Sequence, residues 1–279
     1  MDQHKKNGPK IHCLTNPVVM QDTANLLLAA GGSAIMAQDP AEAEEITSFC
    51  QATLLNTGVP DEAKFKAYIL AGKRANALGH PVILDPVGAG ASRFRREGLI
   101  ELLSQVKISL IRCNQEEACT LLRIKSRDRS SFDETEIKSE KSQERNTEGT
   151  GGVESQITLE DPELMMLAGQ LGEAYSCTVL ISGKKDAVSD GKHTRLIAGG
   201  SERMRRLTGS GCMLSALCAL FCGCGYEPYE AAQKAAELWK ESARRAEMNS
   251  LGTVGIGSFH IRLFDAVEEL CRGNEKEKR

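Results

Sequence analysis

The run Thr208-Gly209-Ser210-Gly211-Cys212 stands immediately before the apolar stretch Met213-Leu214-Ser215-Ala216-Leu217. Glycines let successive backbone amides turn toward one point, and a helix starting there adds the positive end of its dipole. Gly209, Ser210 and Gly211 therefore make a candidate anion hole, suited to holding a phosphoryl group during transfer. The same residues also suit a plain turn capped by Ser210.

A second segment, Val82-Ile83-Leu84-Asp85-Pro86-Val87-Gly88-Ala89-Gly90-Ala91, delivers a carboxylate into a glycine-rich loop. Asp85 is a candidate Mg²⁺ residue, because that ion favours a few carboxylates together with substrate phosphates. A turn cap before a helix is the alternative. In the third, Leu110-Ile111-Arg112-Cys113-Asn114-Gln115-Glu116-Glu117, Arg112 can contact a polyphosphate while Asn114 or Glu117 orients a metal shell. Asn114 as N-cap with Glu117 three residues on also reads as a near capping box, and both readings can hold together.

Other chemistries find no support. No Gly-x-x-x-x-Gly-Lys-Ser/Thr occurs, which excludes a P-loop enzyme. Gly88-Ala89-Gly90 is followed by Arg93 where a dinucleotide fingerprint needs its third glycine. Cys218 and Cys222 lie one helical turn apart within apolar sequence, without a second Cys-x-x-Cys pair, and read as core residues. The histidines at 4, 12, 80, 193 and 260 lack metal-ligand spacing, and His12 alone adjoins a motif.

These segments need a scaffold that gathers them. Between Pro17 and Ala198, helical stretches alternate with short apolar runs at Ser33–Met36, Thr53–Asn56, Val82–Asp85, Ile108–Arg112 and Thr178–Ser182. Such alternation predicts an α/β protein with a mainly parallel sheet covered on both sides, whose ligands bind at the carboxyl ends of the strands. Helices are predicted near 17–30, 40–51, 61–78, 93–105, 115–122, 161–175, 212–222, 228–247 and 256–271. The charge-free stretch Leu207–Tyr226 is broken by Thr208–Gly211 and reads as a buried helix, not a membrane span. Between Arg123 and Asp161, 17 of 39 residues are charged and six are apolar, too few to bury a core, so 123–161 is predicted to be a disordered surface insertion. The tail from Arg272 to Arg279 is expected to fray.

Size and charge fit this outline. A chain of 279 residues accommodates one large α/β domain, predicted here over 1–279, and is large enough for an enzyme. A formal charge of -3 and 4% aromatic residues argue against nucleic-acid or membrane partners. The polar start Met1–Gly8 signals no export and predicts a cytoplasmic protein.

Five ordered motifs together resemble hydroxyethylthiazole kinases, the thiamine-salvage branch of the ribokinase-like superfamily. They are Ile11-His12-Cys13-Leu14-Thr15-Asn16-Pro17-Val18-Val19, Thr23–Ala37, Ile83–Ala91, Ile111-Arg112-Cys113-Asn114 and Thr208–Cys212, and the resemblance covers nearly the whole chain except 123–161. The resemblance implies a ribokinase-like three-layer α/β/α fold. It also implies transfer of the ATP γ-phosphate, with Mg²⁺, to the primary hydroxyl of 4-methyl-5-(2-hydroxyethyl)thiazole. Carried onto this sequence, it makes Met36, Asn16 and Gly209 substrate contacts, Arg112 and Ser182 nucleotide contacts, and Asp85 and Glu117 organisers of the metal. Cys212 takes the place where most of the superfamily carries a general-base Asp. A homotrimer with active sites between subunits is implied as well.

Two positions depart from the family pattern: Cys113 follows the strand-ending arginine where Gly is common, and Lys184 follows Ser182-Gly183 where an acidic residue is common. They keep open a thiazole-binding protein of weak activity, and the wider superfamily offers a hydroxymethylpyrimidine kinase as the enzyme rival.

Overall fold

In the computed structural model, which describes residues 8–127, 159–248 and 255–276, eight strands form one sheet in the order β2-β1-β3-β4-β5-β6-β7-β8. They are β1 (Lys10–Leu14), β2 (Ser33–Ile35), β3 (Ala52–Asn56), β4 (Val82–Asp85), β5 (Leu110–Asn114), β6 (Thr178–Ser182), β7 (Asp186–Ser189) and β8 (Thr194–Ile197). All pairs from β2 through β6 are parallel, and β7 and β8 add two antiparallel pairs at the end. The mainly parallel sheet agrees with the alternation read from the sequence.

Helices cover both faces, giving the three-layer α/β/α architecture. On one side α1 (Met20–Ala29), α7 (Ser210–Gly223), α8 (Pro228–Met248) and α9 (Ile256–Lys276) pack with Ile11, Leu54, Ile83, Leu110 and Leu180 into one core. On the other side α2 (Ala43–Ser48), α3 (Glu62–Leu78), α4 (Arg93–Gln105), α5 (Gln115–Arg127) and α6 (Asp161–Tyr175) pack with Leu55, Leu84, Ile111 and Val179 into a second. Parallel strands buried on both faces need apolar residues in both phases of the pleat, as these runs supply. α7 is apolar on nearly every side and is buried accordingly, with each residue from Cys212 through Leu220 inaccessible or nearly so.

Local signals set the helix ends. Asp61 and Ser92 accept N–H bonds from Lys64 and Arg95 to cap α3 and α4, and Gly79 closes α3 at φ 70°, in the left-handed region. Among the described residues no helix is long and apolar enough to cross a membrane.

Several boundaries differ from expectation. α5 continues to Arg127, so residues 123–127 are helical and not part of an insertion; its apolar positions Leu121, Leu122 and Ile124 keep contact with the second core. Leu159 packs against the same core, and Glu160 forms a reciprocal capping box with Glu163 at the start of α6. The rest of the expected insertion, 128–158, lies outside the described residues. α9 runs to Lys276, five residues past its expected end and into the tail expected to fray.

Candidate active site at the carboxyl ends of the strands

The pleat selects which side chains reach α7. Leu54 and Asn56, Ile83 and Asp85, Leu110 and Arg112, and Leu180 and Ser182 are two apart in their strands, and the first of each pair lies in the α7-side core. Successive side chains alternate between faces, so Asn56, Asp85, Arg112 and Ser182 emerge on that same face near the carboxyl ends where ligands bind in such sheets, with Arg112 two residues short of the end because β5 runs over Leu110–Asn114 and not the expected Ile108–Arg112. Asn56 and Asp85 are register partners and stand side by side.

Asp85 is fully buried. Its Oδ2 accepts from Asn56 Nδ2 at 2.7 Å and from Ser215 Oγ at 2.8 Å. Its Oδ1 has no hydrogen-bond partner and lies 3.7 Å from Arg112 Nη1. Burial pushes the carboxyl above its ordinary range, against the pull of Arg112, Ser215 and Asn56. Arg112 Nη2 donates to Ser182 Oγ, which in turn donates to Cys113 O at 3.4 Å.

Glu117 fills the capping role read from its motif. Its Oε2 accepts from Asn114 N at 2.9 Å while Asn114 Oδ1 accepts from Glu117 N at 2.8 Å, a reciprocal cap of α5. Its Oε1 accepts from Gly88 N at 2.9 Å, tying α5 to the loop after Asp85. Burial, then the nearby Asp85 charge, raise its carboxyl to about 7. Among the described residues no three His, Cys, Asp or Glu side chains cluster into a metal cage. The unpartnered Oδ1 of Asp85, with Glu117 held electrostatically close, nevertheless fits a hard divalent cation that draws its remaining ligands from phosphate and water.

The glycine run closes the site. Gly209 is the N-cap of α7 at φ 79°, and a Cβ there would meet Val19 Cγ1 at 2.0 Å, so both backbone angle and space demand glycine. No side chain caps α7; the capping role considered for Ser210 is not adopted, because Ser210 is the first helical residue and its N–H bonds to Leu207 O at 3.2 Å. The amides of Gly211 and Cys212 thus start the helix without a side-chain acceptor. A Cβ on Gly211 would stand 2.3 Å from Arg112 Nη1, so the guanidinium lies directly against the turn.

Cys212 is buried, 3.8 Å from Asn16 Nδ2, and Asn16 donates from the same nitrogen to Asn56 Oδ1 at 2.9 Å. A helix N-terminus would lower a thiol pKa, yet here burial, followed by the Asp85 charge, pushes it up to about 12. Cys212 is therefore a thiol, not a thiolate, near neutral pH. Cys113 points into the opposite core, and Lys184 is an exposed loop residue. Met36 follows edge strand β2, half-buried against the α7-side core, at the far end of the row from Ser182.

Four further contributors carry no assigned role in the sequence reading. Asn56 and Ser215 hold Asp85. His12, also buried, bridges Thr47 Oγ1 at 2.8 Å and Ala37 O at 3.0 Å, fixing the chain just after Met36. Lys240 of α8 ion-pairs with Asp186 at 3.2 Å beneath the turn that follows Ser182. Asn56 ends an expected strand and so falls among the residues expected to converge there; Ser215 and Lys240 sit within helical patterns that give no such signal.

The model of the Hydroxyethylthiazole kinase family matches residues 1–144 and 133–273. Hydroxyethylthiazole kinase from Lysinibacillus sphaericus (strain C3-41) is 36% identical over 274 residues, covering 97% of this chain and 96% of that protein. Its namesake from Clostridium botulinum (strain Alaska E43 / Type E3) is 35% identical, covering 100% of this chain and 93% of its own length. The solved hydroxyethylthiazole kinase structure from Pyrococcus horikoshii OT3 superimposes with a TM-score of 0.76 at 31% identity, over 95% of this chain and 89% of that one. A ribokinase-like superfamily protein from Enterococcus faecalis V583, 12% identical with a TM-score of 0.64 over 98% of this chain and 89% of its own, shares the fold alone. With identity above 30% sustained along nearly the whole length, and a buried Asp, Arg and Cys gathered at one glycine turn, the chain belongs to the hydroxyethylthiazole kinase family.

Proposed function

We propose that the protein transfers the γ-phosphate of ATP to the primary hydroxyl of 4-methyl-5-(2-hydroxyethyl)thiazole, giving the thiazole phosphate used for thiamine diphosphate. The observation that carries this reading is the uncapped start of α7 at Gly209–Cys212, pressed against Arg112 and facing the buried Asp85. Amides, a helix dipole and a guanidinium converging on one point supply the charge that equatorial phosphoryl oxygens need, without having to reorganise during transfer.

Arg112 and Ser182 bind the nucleotide phosphates in this reading, and Gly209, Ser210 and Gly211 cradle the migrating group. Asp85 and Glu117 would hold Mg²⁺, which when bound neutralises phosphate charge. Met36, Asn16 and Gly209 face the thiazole. Cys212 lies beside the acceptor hydroxyl as a protonated thiol, so alignment contributes more than proton abstraction to a loose transfer. The enzyme works as one kinase domain over 1–279 in the cytoplasm. It forms a homotrimer with sites between subunits, a reading that rests on its family membership.

Incubation with ATP, Mg²⁺ and the thiazole alcohol tests this, with product identified by mass. A thiazole phosphate formed with matching ADP is the expected result; tight thiazole binding without product would favour a binding protein instead.

A further inference from the structure

Lys240 is a buried lysine in the middle of α8, among Ala235, Ala236, Trp239 and Ala243. Its aliphatic stem lies beneath Gly200, where an added Cβ would approach Lys240 Cγ to 3.5 Å. Lysine is almost never this inaccessible unless its charge is matched. Here Nζ is 3.2 Å from Asp186 Oδ1 and donates to the carbonyls of Gly183 at 3.4 Å and Lys184 at 3.3 Å. The same Asp186 Oδ1 accepts from Gly183 N at 3.0 Å. The turn between β6 and β7 is thus held through one amide and two carbonyls by a single buried ion pair.

That arrangement has a directional consequence. In a planar trans peptide the carbonyl of one residue and the N–H of the next point opposite ways, and no peptide here is cis. Two carbonyls turned in toward Lys240 therefore turn the N–H groups of Lys184 and Lys185 away from it, in the turn that directly follows Ser182, whose Oγ meets the Arg112 guanidinium. Successive amides facing one way favour an anion, whereas two outward carbonyls would repel one.

We propose that Lys240, paired with Asp186, is a positioning residue for the nucleotide: it fixes the Gly183–Lys185 turn so that amides, not carbonyls, meet the polyphosphate beside Arg112. This rests on the kinase reading above, with Arg112 and Ser182 on the nucleotide side. Lys240 touches neither substrate, so its effect reaches the reaction through the turn.

The test is steady-state kinetics of the full-length protein with Mg²⁺, varying ATP and the thiazole alcohol separately, for wild type, Lys240→Met and Lys240→Gln. The Met variant is expected to raise KM for ATP about tenfold while KM for the alcohol stays within about twofold. Lys240→Gln, which keeps donors for the carbonyls, is expected to recover part of that loss, and it decides the matter if the Met variant does not fold. An unchanged KM for ATP with kcat alone reduced would overturn the proposal and leave the pair a structural support. Wild-type protein without ATP-dependent turnover would instead overturn the function proposed above, and this inference with it.

Discussion

Gly211 and Arg112 share a space that only one of them can fill: a methyl group on residue 211 would stand 2.3 and 2.4 Å from the two terminal guanidinium nitrogens. The atoms in the way end a long side chain, so the chain can yield, but only by moving the guanidinium off the turn. Gly211→Ala should fold with a melting temperature near wild type and lose about 100-fold or more in kcat, the scale of removing one charge-stabilising donor. Near-normal turnover in a well-folded Gly211→Ala protein would show that this contact is not used.

Cys212 should behave differently. Its thiol is pushed up to about 12, so it is protonated across the physiological range and cannot be the base whose loss is costly. Cys212→Ser is expected to keep kcat within about tenfold of wild type. A pH–rate profile that lost a limb near the ordinary thiol range in the Ser variant would assign the base to Cys212 after all.

Asn56 gives the carboxylate of Asp85 its orientation and ties it to Asn16 and to Gly58 N, 3.0 Å from Asn56 Oδ1. Asn56→Ala should cost about 10- to 100-fold in kcat, since a bond to a buried charged group is lost and a buried amide is left unpaired. Asn56→Asp, placing a second carboxylate against the first, should be the worse of the two. Parallel kinetics and thermal melts distinguish this from simple unfolding, which would lower the amount of active protein equally in both.

His12 makes the fold acid-sensitive. Burial lowers its pKa from 6.5 to about 4, partly offset by the bond to Ala37 O. A carbonyl can only accept, so Nε2 carries the proton and Nδ1 accepts from Thr47. The unfolded chain takes up a proton between these two values and the native protein does not. Stability is therefore complete above pH 6.5 and falls toward pH 4, by on the order of 3 kcal/mol from this group. Urea midpoints measured from pH 7.5 to 4.5 should drop less steeply in His12→Gln; identical slopes would remove His12 as the cause.

Where apolar runs were long and ended in a polar residue, the sequence was readable: β3, β4 and β6, with Asn56, Asp85 and Ser182 at their ends, fall where their composition places them. β1 was read only as a motif because Lys10-Ile11-His12-Cys13-Leu14 carries two polar residues in five, one of which, His12, is buried through its own hydrogen bonds. β7 and β8 escaped notice because they are four-residue strands in which only two residues are apolar, Ala187 and Val188 in one and Leu196 and Ile197 in the other, too few for a readable run. Ser215 and Lys240 were hidden for a shared reason. Each lies on a helix whose period is set by packing, and its polar partner is supplied by a strand end 130 or 54 residues away in sequence, a pairing that only the folded sheet creates.

The inward course of Cys113 sets what its position can hold. One step along β5 separates a guanidinium pressed against Gly211 from a thiol sealed in the opposite layer. The residue after the arginine is accordingly constrained by the packing of Ile111, Ala118 and Leu121 in that layer, and its size and polarity answer to the outer helices before they answer to the site.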